Sequence, residues 1–428
     1  MPEISDIELT RMKRAVEELS VLNKIAIATN ISMPLEKITQ ITLDHCLKHV
    51  HTTQGAVYLL KSEDKADDKA VTFVRRNDPT ITELPFHVDV TLTGWMIKNR
   101  TIFISNSPDT DDRIKGIDLA PLGIRSILAA PLLSQKGLLG LLVLVNKNDS
   151  NGFNDNDKRF LAIVAAQSAK IIENARLFEK ELQLRDIQIE IDLARKIQEG
   201  FLPKGNILDP GFEIFGFNSA AKQVGGDFYD MIRLKDNSIL LSLGDVSGKG
   251  IPAALLMSNA QAVIRSHAGS SDSADLVNLI ESLNRLICQF TQPGQYITMI
   301  LGCFEPALGK YRYANAGHPS VIVVRKDSSL ELHTDSDLVV GVLPGFSYHE
   351  HQISLSSGDT LFLFTDGITE CFNSLEEQFG DDSLAAALIS NSHLPARDIC
   401  QAVLARMNDF RKDTEQSDDI TMLALKVR

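Results

Sequence analysis

The stretch "AKQVGGDFYDMIRL", residues 221–234, places Asp227 and Asp230 three apart behind a pair of glycines. Glycine and aspartate are the commonest turn formers, so the motif alone reads equally well as a solvated turn. Two chemical readings compete with it: carboxylates gathered on a metal ion, or part of a nucleotide cyclase. The surrounding sequence has to decide, and acids recur there wherever an apolar run begins or ends. "SILLSLGDVSGKG" sets Asp245 after one such run, "DTLFLFTDGITE" sets Asp366 after another, and "SDDITMLALKV" sets Asp418 and Asp419 before the last.

Four strand ends would thus deliver carboxylates that could converge on one edge of a sheet. Bare acids held together raise one another's pKa values, and a hard divalent cation relieves that repulsion. Mg²⁺ and Mn²⁺ prefer oxygen ligands and keep several waters, which suits carboxylates from scattered loops. Zinc is disfavoured, because no His/Cys ligand spacing accompanies the aspartates. Two such ions acidify a bridging water and clamp phosphoryl oxygens, so the implied chemistry is phosphate ester hydrolysis. A nucleotide loop is a poorer fit, since "DVSGKG" lacks the spacing G-x-x-x-x-G-K-(S/T).

The pieces "ARKIQEGFLP", "VGGDFYD", "LGDVSGKGIPAALLM", "ANAGHP", "LFTDGITE" and "SDDITMLALK", spanning about 195–428, resemble in order the type-2C (PPM) metal-dependent phosphatases, in particular the stage-II sporulation protein E and sigma-factor regulatory branch. The resemblance implies a PPM α-β-β-α sandwich with two Mn²⁺ or Mg²⁺ ions. It makes Asp245 the bridging ligand, completed by Asp227, Asp366 and Asp418, with the Val246 carbonyl a further candidate. Asp418 and Asp419 both remain candidates, the first of such a pair being the usual match. "NAGH" puts His318 where many eukaryotic relatives carry an aspartate after N-x-G. It is a candidate phosphate contact or proton donor, or else a hydrogen-bonded turn histidine. No arginine matches the eukaryotic phosphate-binding arginine. A diguanylate cyclase of the GG(D/E)EF kind would need a nucleotide-binding fold around the glycines, which the other motifs do not suit.

The chain of 428 residues with a net charge of −13 is long enough for two or three domains and argues against nucleic acid as a main partner. No apolar run approaches the roughly 20 residues of a membrane span, and residues 1–20 are too charged for a signal peptide. No membrane insertion and a cytoplasmic location are expected. The five cysteines form no C-x-x-C pair and suit reduced core thiols.

In the N-terminal half, apolar positions from Ile7 to Ile25 predict an amphipathic helix, and residues 35–50 a second. Short strands follow, from "QGAVYLLKSE" to "GLLGLLVLVNK". A helix of roughly 45 residues then runs from Asp155 without Gly or Pro until Gly200. Leu177, Leu184 and Ile191 recur every seven residues, with Ile187, Ala194 and Phe201 beside them, a seam for a dimeric coiled coil interrupted by Lys180 and Gln198. "LTGWMIKNRTIFISN", "GIRSILAAPLLSQKGLLGLLVLVNK" and "FNDNDKRFLAIVAAQSAKIIENARLFE" resemble a GAF sensory domain. Asn146, Lys147, Phe153 and Asp157 match a pattern that accompanies cyclic-nucleotide binding in some members, but Lys158 replaces its last acid, and a Lys147–Asp157 fastening is the favoured reading. His45 and His49, one helical turn apart near Cys46 and His51, lack further ligands for a metal.

The expectation is a two-domain α+β protein: a GAF fold at 1–178 (an antiparallel sheet flanked by helices), a coiled-coil linker at 179–203 and a PPM-type domain at 204–428. It would be a homodimeric serine/threonine phosphatase acting on a phosphoserine or phosphothreonine protein, such as an anti-sigma-factor antagonist. A small-molecule or protein signal at the GAF domain, of unknown identity, would control it. The alternative is a GAF-linked regulator that binds a phosphoprotein without catalysis.

Overall fold

The long helix predicted from Asp155 begins with a reciprocal cap. Asn154 Oδ1 accepts from the Asn156 and Asp157 N–H groups, and the Asp157 carboxylate accepts from Asn154 N at 2.9 Å. This satisfies the donors that a helix start leaves open. Lys147 Nζ, from the preceding strand, pairs with the same carboxylate, both side chains being largely buried. Asn106 holds the Phe153 backbone by both its N–H and its C=O. Of the Asn-Lys-Phe-Asp pattern, Lys147, Phe153 and Asp157 thus lie at the start of this helix, whereas Asn146 holds the backbone at Gly123, Arg125 and Ser126.

The structure is a computed structural model that describes residues 34–60, 71–76, 90–114, 123–135, 137–270, 274–291 and 294–428. The predicted helix at 7–28 lies outside the described residues. The chain divides into two compact units, residues 1–186 and 187–428.

In the first unit, α1 (Leu35–Val50) precedes β1 (Thr52–Leu59), β2 (Val71–Arg76), α2 (Val90–Asn99), β3 (Phe103–Ser105), β4 (Ile127–Ser134), β5 (Gly137–Lys147) and α3 (Asp155–Glu199). The five strands form an antiparallel sheet in the order β2-β1-β5-β4-β3. Central β5 reads as an unbroken apolar run because both its faces are covered. One face packs on α1 and the start of α3 through Leu43, Leu47, Phe160, Leu161 and Val164, the other on Leu92, Met96 and Phe103. His49 stacks on Phe160 with ring centroids 4.0 Å apart, and buried Cys46 has its thiol pushed up to about 12 by burial, so this cluster is packing. The helix α2 runs through Gly94 in a segment read from sequence without a helix.

The helix α3 buries one side from Phe160 to Ile172. Beyond that its large apolar side chains Leu177, Leu184 and Ile187 are exposed. Phe178, Leu182, Ile189, Leu193 and Ile197 are exposed as well, on a second stripe that the heptad count does not include.

The second unit contains β6 (Ile207–Asp209), β7 (Phe212–Ser219), β8 (Phe228–Arg233), β9 (Ile239–Val246), α4 (Ile251–Ser270), α5 (Leu276–Phe290), β10 (Ile297–Glu305), β11 (Lys310–Ala316), β12 (Val321–Val324), β13 (Leu330–His333), β14 (His351–Ser354), β15 (Thr360–Phe364), α6 (Gly380–Asn391), α7 (Ala396–Arg411) and β16 (Ile420–Val427). One sheet has the order β14-β11-β10-β9-β8 and the other β13-β12-β15-β16-β7-β6. Alternate residues of both sheets, among them Leu241, Ile300, Tyr311, Leu363 and Leu423, meet in a common core. The opposite face of the first sheet is covered by α4 and α5, that of the second by α6 and α7. All five cysteines are free and four are buried.

Lys147→Met should lower the stability of the full chain by roughly 2 kcal/mol in chemical denaturation, since it strands a mostly buried carboxylate with one backbone donor. Lys147→Met combined with Asp157→Leu should lose less than the sum of the two single changes.

Candidate active site and metal centre

Pairing register brings the predicted aspartates to one edge. Asp245 is the penultimate residue of β9, and Phe228, directly after Asp227, pairs with Gly244. Asp366 follows β15 and Asp418 precedes β16, whose strands pair Phe364 with Met422. The second sheet thus supplies Asp366 and Asp418, and the first sheet Asp227 and Asp245.

Asp227 is the most enclosed. Its Oδ2 accepts from Thr365 Oγ1 at 2.8 Å and Thr421 Oγ1 at 2.7 Å, and it is buried. Burial first, then the charge of Asp245, drives its carboxyl well above the usual range. Asp245 is pushed up to about 6 by burial and next by Asp366; a hydrogen bond with Asp227 opposes the rise. Asp366 is raised by burial, then by Glu370 and Asp418.

The neighbours Asp418 and Asp419 divide the work. Asp418, half-exposed, pairs with Lys249 Nζ at 2.8 Å on the side where Asp245 and Asp366 feel its charge. Asp419 turns to the glycine loop, accepting from Ala221 N and Gly226 N at 2.7 Å each and from Asp227 N at 3.4 Å. The paired glycines are needed for this approach. A Cβ on Gly225 would sit 2.4 Å from Asp419 Oδ2, and one on Gly226 would sit 2.9 Å from the Val246 carbonyl oxygen, the further ligand candidate.

The two aspartates of "GGDFYD" likewise part. Asp227 faces the carboxylate edge, whereas buried Asp230 pairs with Arg265 Nε at 2.5 Å and accepts from Gln261 Nε2 at 3.3 Å. Arg265 and Gln261 also hold the Phe201 carbonyl, at 2.7 and 2.9 Å. Gln198, one interruption of the predicted seam, clasps Gly225 through both backbone groups, at 2.6 and 3.1 Å. Sequence reading missed Gln198, Lys249, Thr365 and Thr421 as site residues. Lys249 was visible within "GKG", but the direction of its side chain was not.

His318 lies buried behind Asp245. Its Nδ1 is 3.0 Å from Thr298 Oγ1, and Thr298 is the strand partner of Asp245. Asn315 bonds its backbone N–H and C=O. Burial pushes the imidazole down to about 3, so it is neutral across the physiological range.

The donor set of Asp227, Asp245, Asp366 and Asp418 is all oxygen and suits hard divalent ions. Its chemistry fits such ions, because the buried Asp227–Asp245 pair carries a charge conflict that a cation removes. Among the described residues no group of three or more His, Cys, Asp or Glu side chains forms a ready-made cage for an ion.

Fold and site together fit a GAF-like domain followed by a PP2C-type phosphatase domain. Residues 32–173 match the family model described as GAF domain, and residues 235–428 the model described as Stage II sporulation protein E (SpoIIE). The chain is thus a GAF domain followed by a SpoIIE-type PP2C phosphatase domain, a class that is metal-dependent. It is 28% identical over 246 residues to phosphoserine phosphatase RsbU of Bacillus subtilis, covering 56% of this chain and 71% of that protein. It is 27% identical over 266 residues to protein IcfG of Synechocystis, covering 56% of this chain and 41% of that one. In fold it is similar to the SiaA PP2C domain of Pseudomonas aeruginosa, with a TM-score of 0.51 and 20% identity over 57% of this chain and 99% of that domain. Among the described residues no helix is long and apolar enough to cross a membrane.

Gly367→Ala would place a Cβ 1.9 Å from the Asp419 carbonyl oxygen, a backbone atom that no rotamer change can move. The substitution should cost at least about 2 kcal/mol in denaturant unfolding. Asp419→Ala should free the glycine loop and raise hydrogen exchange at Ala221 and Gly226, the amides whose acceptor it removes.

Proposed function

We propose that the chain is a divalent-metal-dependent protein serine/threonine phosphatase acting on a phosphoserine or phosphothreonine protein under control of its GAF domain. The observation that carries this reading is the meeting of Asp227, Asp245, Asp366 and Asp418, drawn from both sheets, at one edge. Those four would hold two Mn²⁺ or Mg²⁺ ions, with the Val246 carbonyl beside them; when bound, such ions acidify water and clamp phosphoryl oxygens for in-line attack. The remaining residues prepare that place. Thr365 and Thr421 orient Asp227, Lys249 offsets the charge of Asp418, and Asp419 anchors the loop instead of serving as a ligand. His318, neutral and enclosed, fits a positioning role through Thr298 rather than the proton-donor role open in the sequence.

The first candidate substrate is a serine-phosphorylated anti-sigma-factor antagonist, in line with the likeness to a phosphoserine phosphatase. The exposed apolar stripe of α3 supports a coiled-coil homodimer with the linker near 179–203. A signal at the GAF domain would change that pairing and, through Gln198 and Gly225, complete the carboxylate set.

Hydrolysis of an aryl phosphate should require Mn²⁺ or Mg²⁺ and fall at least about a hundredfold in Asp245→Asn, a loss of the size expected for a central electrostatic group. Metal-independent turnover, or an active Asn variant, would refute the phosphatase reading. Leu184→Arg with Ile187→Arg should convert a dimer to a monomer in sedimentation. Deleting residues 1–175 should alter specific activity; if oligomeric state and activity both stayed unchanged, the coupling would be wrong.

A further inference from the structure

The end of the ladder that carries Asp245 continues into an apolar surface which the catalytic chemistry does not use. Beyond the Asp245–Thr298 and Val246–Ile297 pairs, Ser247 N donates to Tyr296 O at 2.9 Å and Ser247 Oγ accepts from Tyr296 N at 2.8 Å. Ile297 in turn exchanges both backbone bonds with Val340 at 2.9 Å. Asn284 fixes the chain just past Val340, accepting from Gly341 N and donating to Leu343 O. These bonds pin the backbone around Tyr296, Val342 and Leu343, yet their side chains are 38, 53 and 51% exposed. On the other side of Ser247 the loop passes Lys249, which reaches Asp418, and enters α4 with Ile251 and Leu255 exposed at 51 and 62%.

Large apolar side chains held outward on a fixed backbone mark an interaction surface. It adjoins Asp245 through two strand rungs and the Ser247–Gly250 loop, so a macromolecule offering a phosphoryl group to Asp245 would approach beside it. We propose that Ile251, Leu255, Tyr296, Val342 and Leu343 dock the substrate protein itself, a folded phosphoprotein with an apolar surface beside its phosphoserine. The inference rests on the phosphatase reading and deepens it. Selectivity for the protein would then reside in the apolar rim, and the phosphoryl chemistry in the carboxylates. A small number of central apolar contacts commonly dominates such an interface.

The test compares three substrates: p-nitrophenyl phosphate, a serine-phosphorylated anti-sigma-factor antagonist, and a phosphoserine peptide cut from that antagonist. The native chain should favour the folded phosphoprotein over the peptide by about tenfold or more in kcat/KM, a factor within reach of a few contacts of this kind. Leu255→Ser with Val342→Ser and Leu343→Ser should remove that preference and leave aryl phosphate turnover within about twofold, since the carboxylates that act on the phosphoryl group are unchanged. If the triple variant does not fold, the single Ser variants are measured in the same way. Absence of a preference in the native chain, or its persistence in the variants, would overturn the docking surface. A shift in oligomeric state with the preference intact would assign the surface to a second copy and overturn it too. Equal loss toward all three substrates would place these residues in the fold and do the same. Failure of the native chain on aryl phosphate with metal would instead sink the phosphatase reading, and this inference with it.

Discussion

The geometry of the C-terminal unit depends on where the Asp227 carboxylate is held. It belongs to the first sheet, and the two hydroxyls that grip it, Thr365 and Thr421, belong to paired segments of the second. The same hydroxyls are woven into the backbone, since Thr365 Oγ1 also accepts from Thr421 N at 2.9 Å. A carboxylate buried this deeply needs such partners, because an unsatisfied one is costly enough to neutralise itself. The two hydroxyl bonds lower its pKa, but burial and the Asp245 charge outweigh them, and the net shift is upward. The site is therefore built with a standing electrostatic demand that its own hydrogen bonds do not meet.

Charge is handled differently at each acid according to its depth. Asp418, with solvent and Lys249 beside it, is compensated locally. Asp419 spends its charge on three backbone N–H groups, which converts an acid into a clamp for the loop that carries the paired glycines. Asp230, behind the edge, is satisfied by Arg265 and Gln261 and takes no part in the metal set. Asp227 and Asp245 have no cationic side chain paired with them among the described residues, and both carboxyls are raised by burial and by neighbouring acids.

This explains which features could be read in advance. The aspartates at strand ends were legible because an apolar run that stops at an acid announces both the strand and its exit. The 45-residue helix was legible because nothing between Asp155 and Glu199 breaks it. Choosing between Asp418 and Asp419 was not possible from spacing, because adjacent residues on extended backbone point oppositely and the sequence does not say which side faces the edge. His318 was ambiguous for a related reason, since a turn motif shows the residue but not the β10 side chain, Thr298, that encloses it. Lys249, Thr365 and Thr421 act through contacts across the fold, and such pairings have no local signature. The helix α2 forms despite Gly94 in its middle, because tertiary packing of Leu92 and Met96 overrides the weak local propensity.

The Gln198–Gly225 clasp links these themes. A polar residue in an apolar seam weakens the seam, so in the linker alone Gln198 looks like a defect. In the folded unit its amide makes two complementary bonds to one residue of the glycine loop, two places before Asp227, while the Phe201 carbonyl is gripped by the residues that also satisfy Asp230. The last turn of α3 and the residues just after it are thus hydrogen-bonded both to the loop that carries Asp227 and to α4. An amide pair of this kind contributes roughly 1–3 kcal/mol, which corresponds to about a five- to hundredfold change in an equilibrium between two positions of the loop. On the proposed coupling, that would let the helix end bias the loop before Asp227 while the paired sheets, anchored by their own core, stay as they are.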